Sequence, residues 1–194
     1  FLTAPFASGS SNGAGTATAA SYAAFGLAEE TWSSGRGPAS NNGLCAYTPS
    51  RGVISVRGNW PLTPTMDVVV PYARTMHDLL EVLDVVVADD PNCRGDLWRL
   101  QPWVPIPKAS EIRPASYLEL AATPEALRGK RLGVPRMYIN KDNLAGTSEQ
   151  PGIGGPTGQR IKTRDSVIDL WEAARQALEA AGAEVIEVDF PLVS

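Results

Sequence analysis

The sequence predicts a protein of the α/β class, on the evidence of two patterns. A strand-like run at 130–135 precedes an amphipathic helix at 165–181 and an alternating strand at 183–188. Strand, helix and strand in this order favour a right-handed βαβ crossover with a parallel strand pair. After Pro71, apolar residues recur at three- and four-residue steps and predict a further helix, which ends at 89–91.

The N-terminal part is predicted to consist of loops around one buried helix. Residues 3–15 are small and polar and lead into the Ala-rich run 16–25, whose small side chains allow close backbone approach. A second loop-rich stretch covers 31–52, and prolines interrupt 100–124, which we expect to wrap over the surface. The Gly/Pro-rich stretch 140–160 has no periodicity, so a plain surface connection is favoured over a mobile lid, and both interpretations stay open.

Composition argues against several classes of function. A net charge of −4 offers no electrostatic footprint for nucleic acid, and the apolar run 79–88 is too short to span a membrane. One histidine and two cysteines argue against a Ser-His-Asp triad and a zinc site. The low cysteine density favours a reducing, intracellular compartment. The chain begins with Phe1 and stops just after a strand-like run, as expected of a piece of something larger.

A series of motifs in a fixed order carries the most specific signal. They are SGSSNG at 8–13, TWSSGRGPA at 31–39, GLCAYTPSRGVIS at 43–55, VPYART at 70–75 and LGVP at 132–135. Together they resemble the amidase signature family over nearly the whole chain. The resemblance implies a twisted mixed β-sheet covered by helices, of which 1–194 would be the central portion of a single domain. Its parts would be 1–55 with the catalytic serine loops, 56–129 with a helix and a wrapping segment, and 130–194 with the βαβ unit.

The resemblance also implies a catalytic Ser, cis-Ser, Lys triad. Ser34 matches the nucleophile, and Ser10, 24 residues earlier, matches the bridging serine after a cis Gly9–Ser10 bond. A serine hydroxyl is a weak nucleophile, so a second hydroxyl would relay its proton to a base. Backbone N–H groups would form the oxyanion hole, Glu30 and Arg36 would be a scaffold ion pair, and Gly9 and Ser11 would support the first loop. The oxyanion donors would be Thr31, Trp32, Ser33 and Ser34.

Two departures from the family pattern bear on this assignment. Trp32 and Ser33 stand where most members have two glycines, which is tolerable only if φ stays negative at both positions. The family's base lysine lies upstream of the Gly-Ser-Ser loop, whereas all four lysines of this chain lie downstream of it. They are Lys108, Lys130, Lys141 and Lys162. The base is therefore expected outside this chain.

The resulting expectation is a hydrolase of non-peptide, linear or small-molecule amides. Ser34 would attack the carbonyl and form an acyl-enzyme, which water would hydrolyse, and no metal or organic cofactor is implied. Partners would be the amide substrate and the remaining segments of the domain or a complementary chain. Two alternatives stay open: a non-catalytic fragment or partner-binding subunit with the same scaffold, and a glutamine-hydrolysing amidotransferase subunit.

Overall fold

The computed structural model describes residues 9–121, 124–142 and 162–189. These divide into two compact units, with the boundary after Ala121. Within the described ranges, no helix combines the length and hydropathy that crossing a membrane requires.

A three-stranded antiparallel sheet forms the centre of the first unit. Strand β3 (Val68–Ala73) lies between β1 (Phe25–Glu30) and β2 (Cys45–Ala46). Glu30 lies opposite Val68 in the register of β1 and β3. All six residues of β3 are buried, so this strand forms the centre of the hydrophobic core of the first unit.

Three helices pack around this sheet: α1 (Asn12–Ala19), α2 (Arg36–Asn42) and α3 (Met76–Val86). The prediction of a helix after Pro71 is confirmed by α3, whose apolar stripe is buried at Leu79, Leu80 and Leu83. The Thr75 hydroxyl caps this helix by accepting a hydrogen bond from the Asp78 N–H at 3.1 Å.

The predicted helix over 16–25 was wrong in its bounds. Helix α1 ends at Ala19, the left-handed backbone of Ser21 (φ 63°) turns the chain, and Phe25 already begins β1. Pairing of β1 with the distant β3 overrides the local helical propensity of the alanines. The expected close approach is present, because a Cβ added at Gly15 would lie 3.2 Å from Pro38 Cβ on α2.

The proline-interrupted segment after α3 is more than a surface wrap. It contains the short helices α4 (Leu97–Leu100) and α5 (Ala109–Ile112), and Ala109 is buried in a cluster with Leu83 and Val87 of the α3 region. The Asp84 carboxylate ties the segment to α3 by accepting hydrogen bonds from the Ser116 hydroxyl at 2.6 Å and from the Arg113 guanidinium at 2.8 Å. The Ser116 bond contributes most to lowering the pKa of Asp84.

The second unit contains the predicted strand–helix–strand pattern. Strands β4 (Arg131–Pro135) and β5 (Glu184–Val188) pair in parallel, and helix α6 (Asp165–Ala180) contacts β5. The prediction of a parallel pair is therefore confirmed. Gly182, with φ 90°, turns the chain between α6 and β5, and its carbonyl accepts a hydrogen bond from the Gly129 N–H at 2.8 Å. Most of the stretch 140–160 lies outside the described residues.

Candidate active site

The Gly-Ser-Ser loop is fastened to strand β1 through Ser11. The Ser11 hydroxyl donates to the Glu29 carbonyl oxygen at 3.0 Å and accepts from the Glu29 N–H at 3.2 Å. Glu29 is the penultimate residue of β1, which leads directly into the second predicted loop. The Ser11 side chain thus connects the loop that contains Ser10 to strand β1, which is followed by the loop that contains Ser34.

The expected cis bond between Gly9 and Ser10 is absent. No peptide bond is cis among the residues that the structure describes, so Gly9–Ser10 is trans. A trans bond is the lower-energy form, since a non-proline cis bond costs about 3 kcal/mol. Gly9 is buried with φ 118°, the Asn12 N–H bonds its carbonyl at 3.2 Å, and Ser10 is exposed.

The buried Glu30 carboxylate organises the loop that carries Ser34. Glu30 Oε2 accepts hydrogen bonds from the backbone N–H of Gly35 at 3.0 Å and of Arg36 at 2.7 Å. Glu30 Oε1 pairs with Arg36 Nε at 2.7 Å, and the Arg36 guanidinium also donates to the Trp32 carbonyl. Glu30 is only 2% exposed, and the backbone N–H groups and the guanidinium of the loop supply hydrogen-bond partners for its buried carboxylate.

Gly35 seats the turn after Ser34 against the central strand. A Cβ at Gly35 would lie 2.7 Å from Val70 Cγ2, so only glycine allows this approach. The Tyr72 hydroxyl donates to the Gly35 carbonyl, and the Gly37 N–H bonds the Ser33 carbonyl at 2.9 Å. Burial, and to a lesser degree the charge of Glu30, raises the pKa of Tyr72, so this donor stays protonated.

The loop expected to form the oxyanion hole accommodates its two non-glycine residues without a left-handed backbone. Neither Trp32 nor Ser33 has a positive φ, so side chains are accommodated where the family usually has glycine. Among the hydrogen bonds of the described residues, none is donated by the backbone N–H of Trp32 or of Ser34.

Two further residues hold this loop, and sequence reasoning missed them. The Thr31 hydroxyl donates to Asp67 Oδ1 at 2.6 Å, and Asp67 Oδ2 accepts the N–H groups of Leu62 and Thr63 at 2.9 and 2.8 Å. Tyr72 is the second. Asp67 and Tyr72 lie next to and within the apolar run of β3. A polar side chain buried in such a run requires a hydrogen-bond partner, and this feature of the sequence could have identified both residues.

A cavity of about 380 Å³ adjoins the Ser34 loop. Its lining residues are Glu30, Thr31, Trp32, Arg36, Thr48, Pro49, Arg51, Met66 and Val68. A larger cavity, of about 670 Å³, is lined by Gly52 and by residues of the 89–109 segment, and it contains none of the predicted site residues. Cavity volume alone therefore does not identify the site.

One side-chain group in the described part of the chain has the composition of a metal site. His77, Asp78 and Glu81 on α3 bring their possible ligand atoms within 4.8 Å of one another. Two of the three are exposed, and none belongs to the serine loops.

Comparison with known proteins agrees with these motifs. A family model described as Amidase matches residues 4–137. A mitochondrial glutamyl-tRNA(Gln) amidotransferase subunit of Ixodes scapularis is 30% identical over 183 residues, covering 94% of this chain and 30% of that protein. A probable amidase of Arabidopsis thaliana is 33% identical over 127 residues, covering 66% of this chain and 23% of that protein.

Solved structures show the same fold. Native peptide amidase from Stenotrophomonas maltophilia matches with a TM-score of 0.63 and 27% identity, covering 94% of this chain and 31% of that one. A glutamyl-tRNA(Gln) amidotransferase subunit from Thermotoga maritima matches with a TM-score of 0.64 and 22% identity, covering 94% and 32%. These likenesses confirm the predicted α/β fold. The chain spans about 30% of the length of the curated relatives that it matches.

Proposed function

Because this chain belongs to the amidase family, we propose that it carries the nucleophile of an amide hydrolase, Ser34, together with its proton relay, Ser10. One observation supports this most directly. Ser34 lies in a turn that Glu30, Gly35 and Tyr72 hold in place, while the N–H groups of Trp32 and Ser34 bond no other described residue. Backbone N–H groups held in such a turn can stabilise the oxyanion of acyl transfer.

The proposed reaction has two halves. Ser34 Oγ bonds to the amide carbon while its proton passes through Ser10 to a base, and the N–H donors bind the resulting oxyanion. The carbon–nitrogen bond then breaks, and ammonia or an amine leaves with that proton. Water hydrolyses the ester on Ser34 and restores the hydroxyl. No lysine of this chain matches the family's base, so we place the base outside the chain.

A second candidate is release of ammonia from glutamine for a partner enzyme. Several curated relatives that match over most of this chain are subunits of glutamyl-tRNA(Gln) amidotransferases, at 27–30% identity. The same triad would serve both reactions, and the partners would then include complementary subunits. Ammonia release from glutamine, compared with release from amides that lack an α-amino acid group, separates the two.

Covalent labelling tests the assignment of the nucleophile. The intact protein is treated with a serine-directed fluorophosphonate, and the modified peptide is identified by mass spectrometry. We expect modification at Ser34 in the native protein and in S40A, which removes an exposed hydroxyl from α2, and none in S34A. A native protein that stays unlabelled while folded would contradict the proposal and favour the non-catalytic alternative.

The relay assignment has its own readout. S10A should slow the labelling of Ser34 by about 100-fold or more, because a general acid–base contributes about 10²–10⁴-fold to rate. S11A is the matched comparison, since it removes the neighbouring hydroxyl that bonds Glu29 rather than one proposed to move a proton. Equal rates for S10A and the native protein would exclude Ser10 as the relay.

A further inference from the structure

We infer that Tyr72 is a positioning residue for the nucleophile, because its hydroxyl fixes the peptide group between Gly35 and Arg36, directly beyond Ser34. The inference rests on the proposed function for the identity of the nucleophile. Tyr72 is fully buried in strand β3 and lines neither of the two cavities. Its effect on the reaction must therefore pass through the turn that it holds.

The turn after Ser34 contains a residue with little restraint of its own. The side chain of Val70 leaves no space for a Cβ at position 35, since this atom would lie 2.7 Å from Val70 Cγ2. Glycine has more backbone freedom than any other residue. The packing that requires Gly35 thus places the least restrained kind of residue next to the nucleophile, and hydrogen bonds have to supply the missing rigidity.

The peptide group between Gly35 and Arg36 is bound at both of its polar atoms. Its N–H donates to Glu30 Oε2 at 2.7 Å, and its carbonyl oxygen accepts from the Tyr72 hydroxyl. Glu30 belongs to β1 and Tyr72 to the neighbouring β3, so two paired strands define the orientation of this peptide plane. The carbonyl also accepts from the Ala39 N–H, but at 3.4 Å this bond is long and restrains the plane less.

The hydroxyl can be removed while the packing of the core is kept. The Tyr72 ring belongs to a buried cluster with Val68 and Val70, and a phenylalanine ring would keep these contacts. The Gly35 carbonyl would retain the bond from the Ala39 N–H, so Y72F leaves no buried acceptor without a partner. We therefore expect Y72F to fold and to report on the hydrogen bond alone.

Labelling kinetics of the intact protein measure the effect on the nucleophile. The fluorophosphonate reaction at Ser34 is followed at several reagent concentrations in the native, Y72F and Y117F proteins. Y72F should lower the maximal labelling rate about 10-fold to 100-fold and leave the half-saturating concentration unchanged, because a displacement of about 1 Å can cost about 100-fold in rate. Y117F is the matched control, since Tyr117 is half-buried and packs against the other hydrophobic cluster.

Hydrogen exchange separates positioning from a general loss of stability. Exchange is compared, by mass spectrometry, in a peptide that covers 33–40 and in one that covers α3. Y72F should speed exchange in 33–40 about 10-fold, as loss of one hydrogen bond predicts, and leave α3 unchanged. Native exchange in 33–40, equal acceleration in both peptides, or a native maximal labelling rate overturns the positioning role. If the native protein is not labelled at all, while Y72F loses protection only in 33–40, the proposed function fails and the role of Tyr72 in fixing the turn stands.

Discussion

The contact between Gly35 and Val70 gives the sharpest test of how the nucleophile loop is held. A Cβ at Gly35 would lie 2.7, 2.9 and 3.0 Å from Val70 Cγ2, Cβ and Cγ1. Gly35 has φ −86°, which any residue adopts, so G35A introduces steric overlap without backbone strain. Val70 is fully buried in the central strand and is β-branched, so it has neither space nor another low-energy rotamer to move into.

Overpacking of this kind costs about 1–3 kcal/mol. We expect G35A to lower the free energy of unfolding of the intact protein by that amount, measured by urea denaturation followed by circular dichroism. Gly13 is the matched control, because nothing lies within 4 Å of its added Cβ and it lies in α1. G13A should be stabilising by up to about 1 kcal/mol through helix propensity.

A double-mutant cycle tests whether overlap with the Val70 side chain causes the destabilisation expected of G35A. V70A removes the two methyl carbons at 2.7 and 3.0 Å but keeps Cβ at 2.9 Å, so it relieves the overlap in part. The double variant should therefore be more stable than the sum of the single effects by at least about 0.5 kcal/mol. The added methyl group also fills part of the cavity left by V70A. Additive effects, or a G35A protein as stable as G13A, would refute the packing that we describe.

Three further predictions address charge, cavity and pH. E30Q should destabilise the intact protein by about 2–4 kcal/mol in urea denaturation and slow fluorophosphonate labelling, because a neutral amide cannot replace the buried carboxylate. W32A should shift kcat/KM toward bulkier amides by roughly 10-fold, whereas W60A, which removes an indole that is 92% exposed and outside the cavity, should not. The hydrogen bond from Arg57, followed by those from the Asn92 N–H and the Ser55 hydroxyl, lowers the pKa of Asp90 to about 2. The stability that this carboxylate contributes is therefore present above about pH 4 and lost as pH falls toward 2, and a difference in thermal midpoint between the native and D90N proteins should disappear over that range.

The sequence allowed prediction of the elements whose signals are local. Helix α3 has a clear apolar stripe and a threonine cap, and the β4–α6–β5 order carries its own periodicity. Turn chemistry and amphipathic spacing act over a few residues, so one sequence suffices to detect them. The same holds for the order of the serine motifs, which fixed the candidate positions Ser10 and Ser34.

Strand β3 could not be predicted in the same way. Its residues are uniformly apolar, without alternation, and Pro71 removes a backbone donor from what proves to be a central strand. The strand is defined by partners far away along the chain, since Phe25 pairs with Ala73 on one side and Cys45 with the same residue on the other. Pairings at such separation leave no local pattern, and the adjoining strand β1 was hidden for the same reason.

Strand β3 directly supports the loop that contains Ser34. Val70 and Tyr72 lie two residues apart on one face of β3, and both contact Gly35. Asp67, just before the strand, accepts a hydrogen bond from Thr31. Residues in and next to β3 thereby hold both ends of the loop between Thr31 and Gly35. Because a displacement of about 1 Å at a reacting group can cost about 100-fold in rate, substitutions in β3 should reduce catalysis even where the protein stays folded.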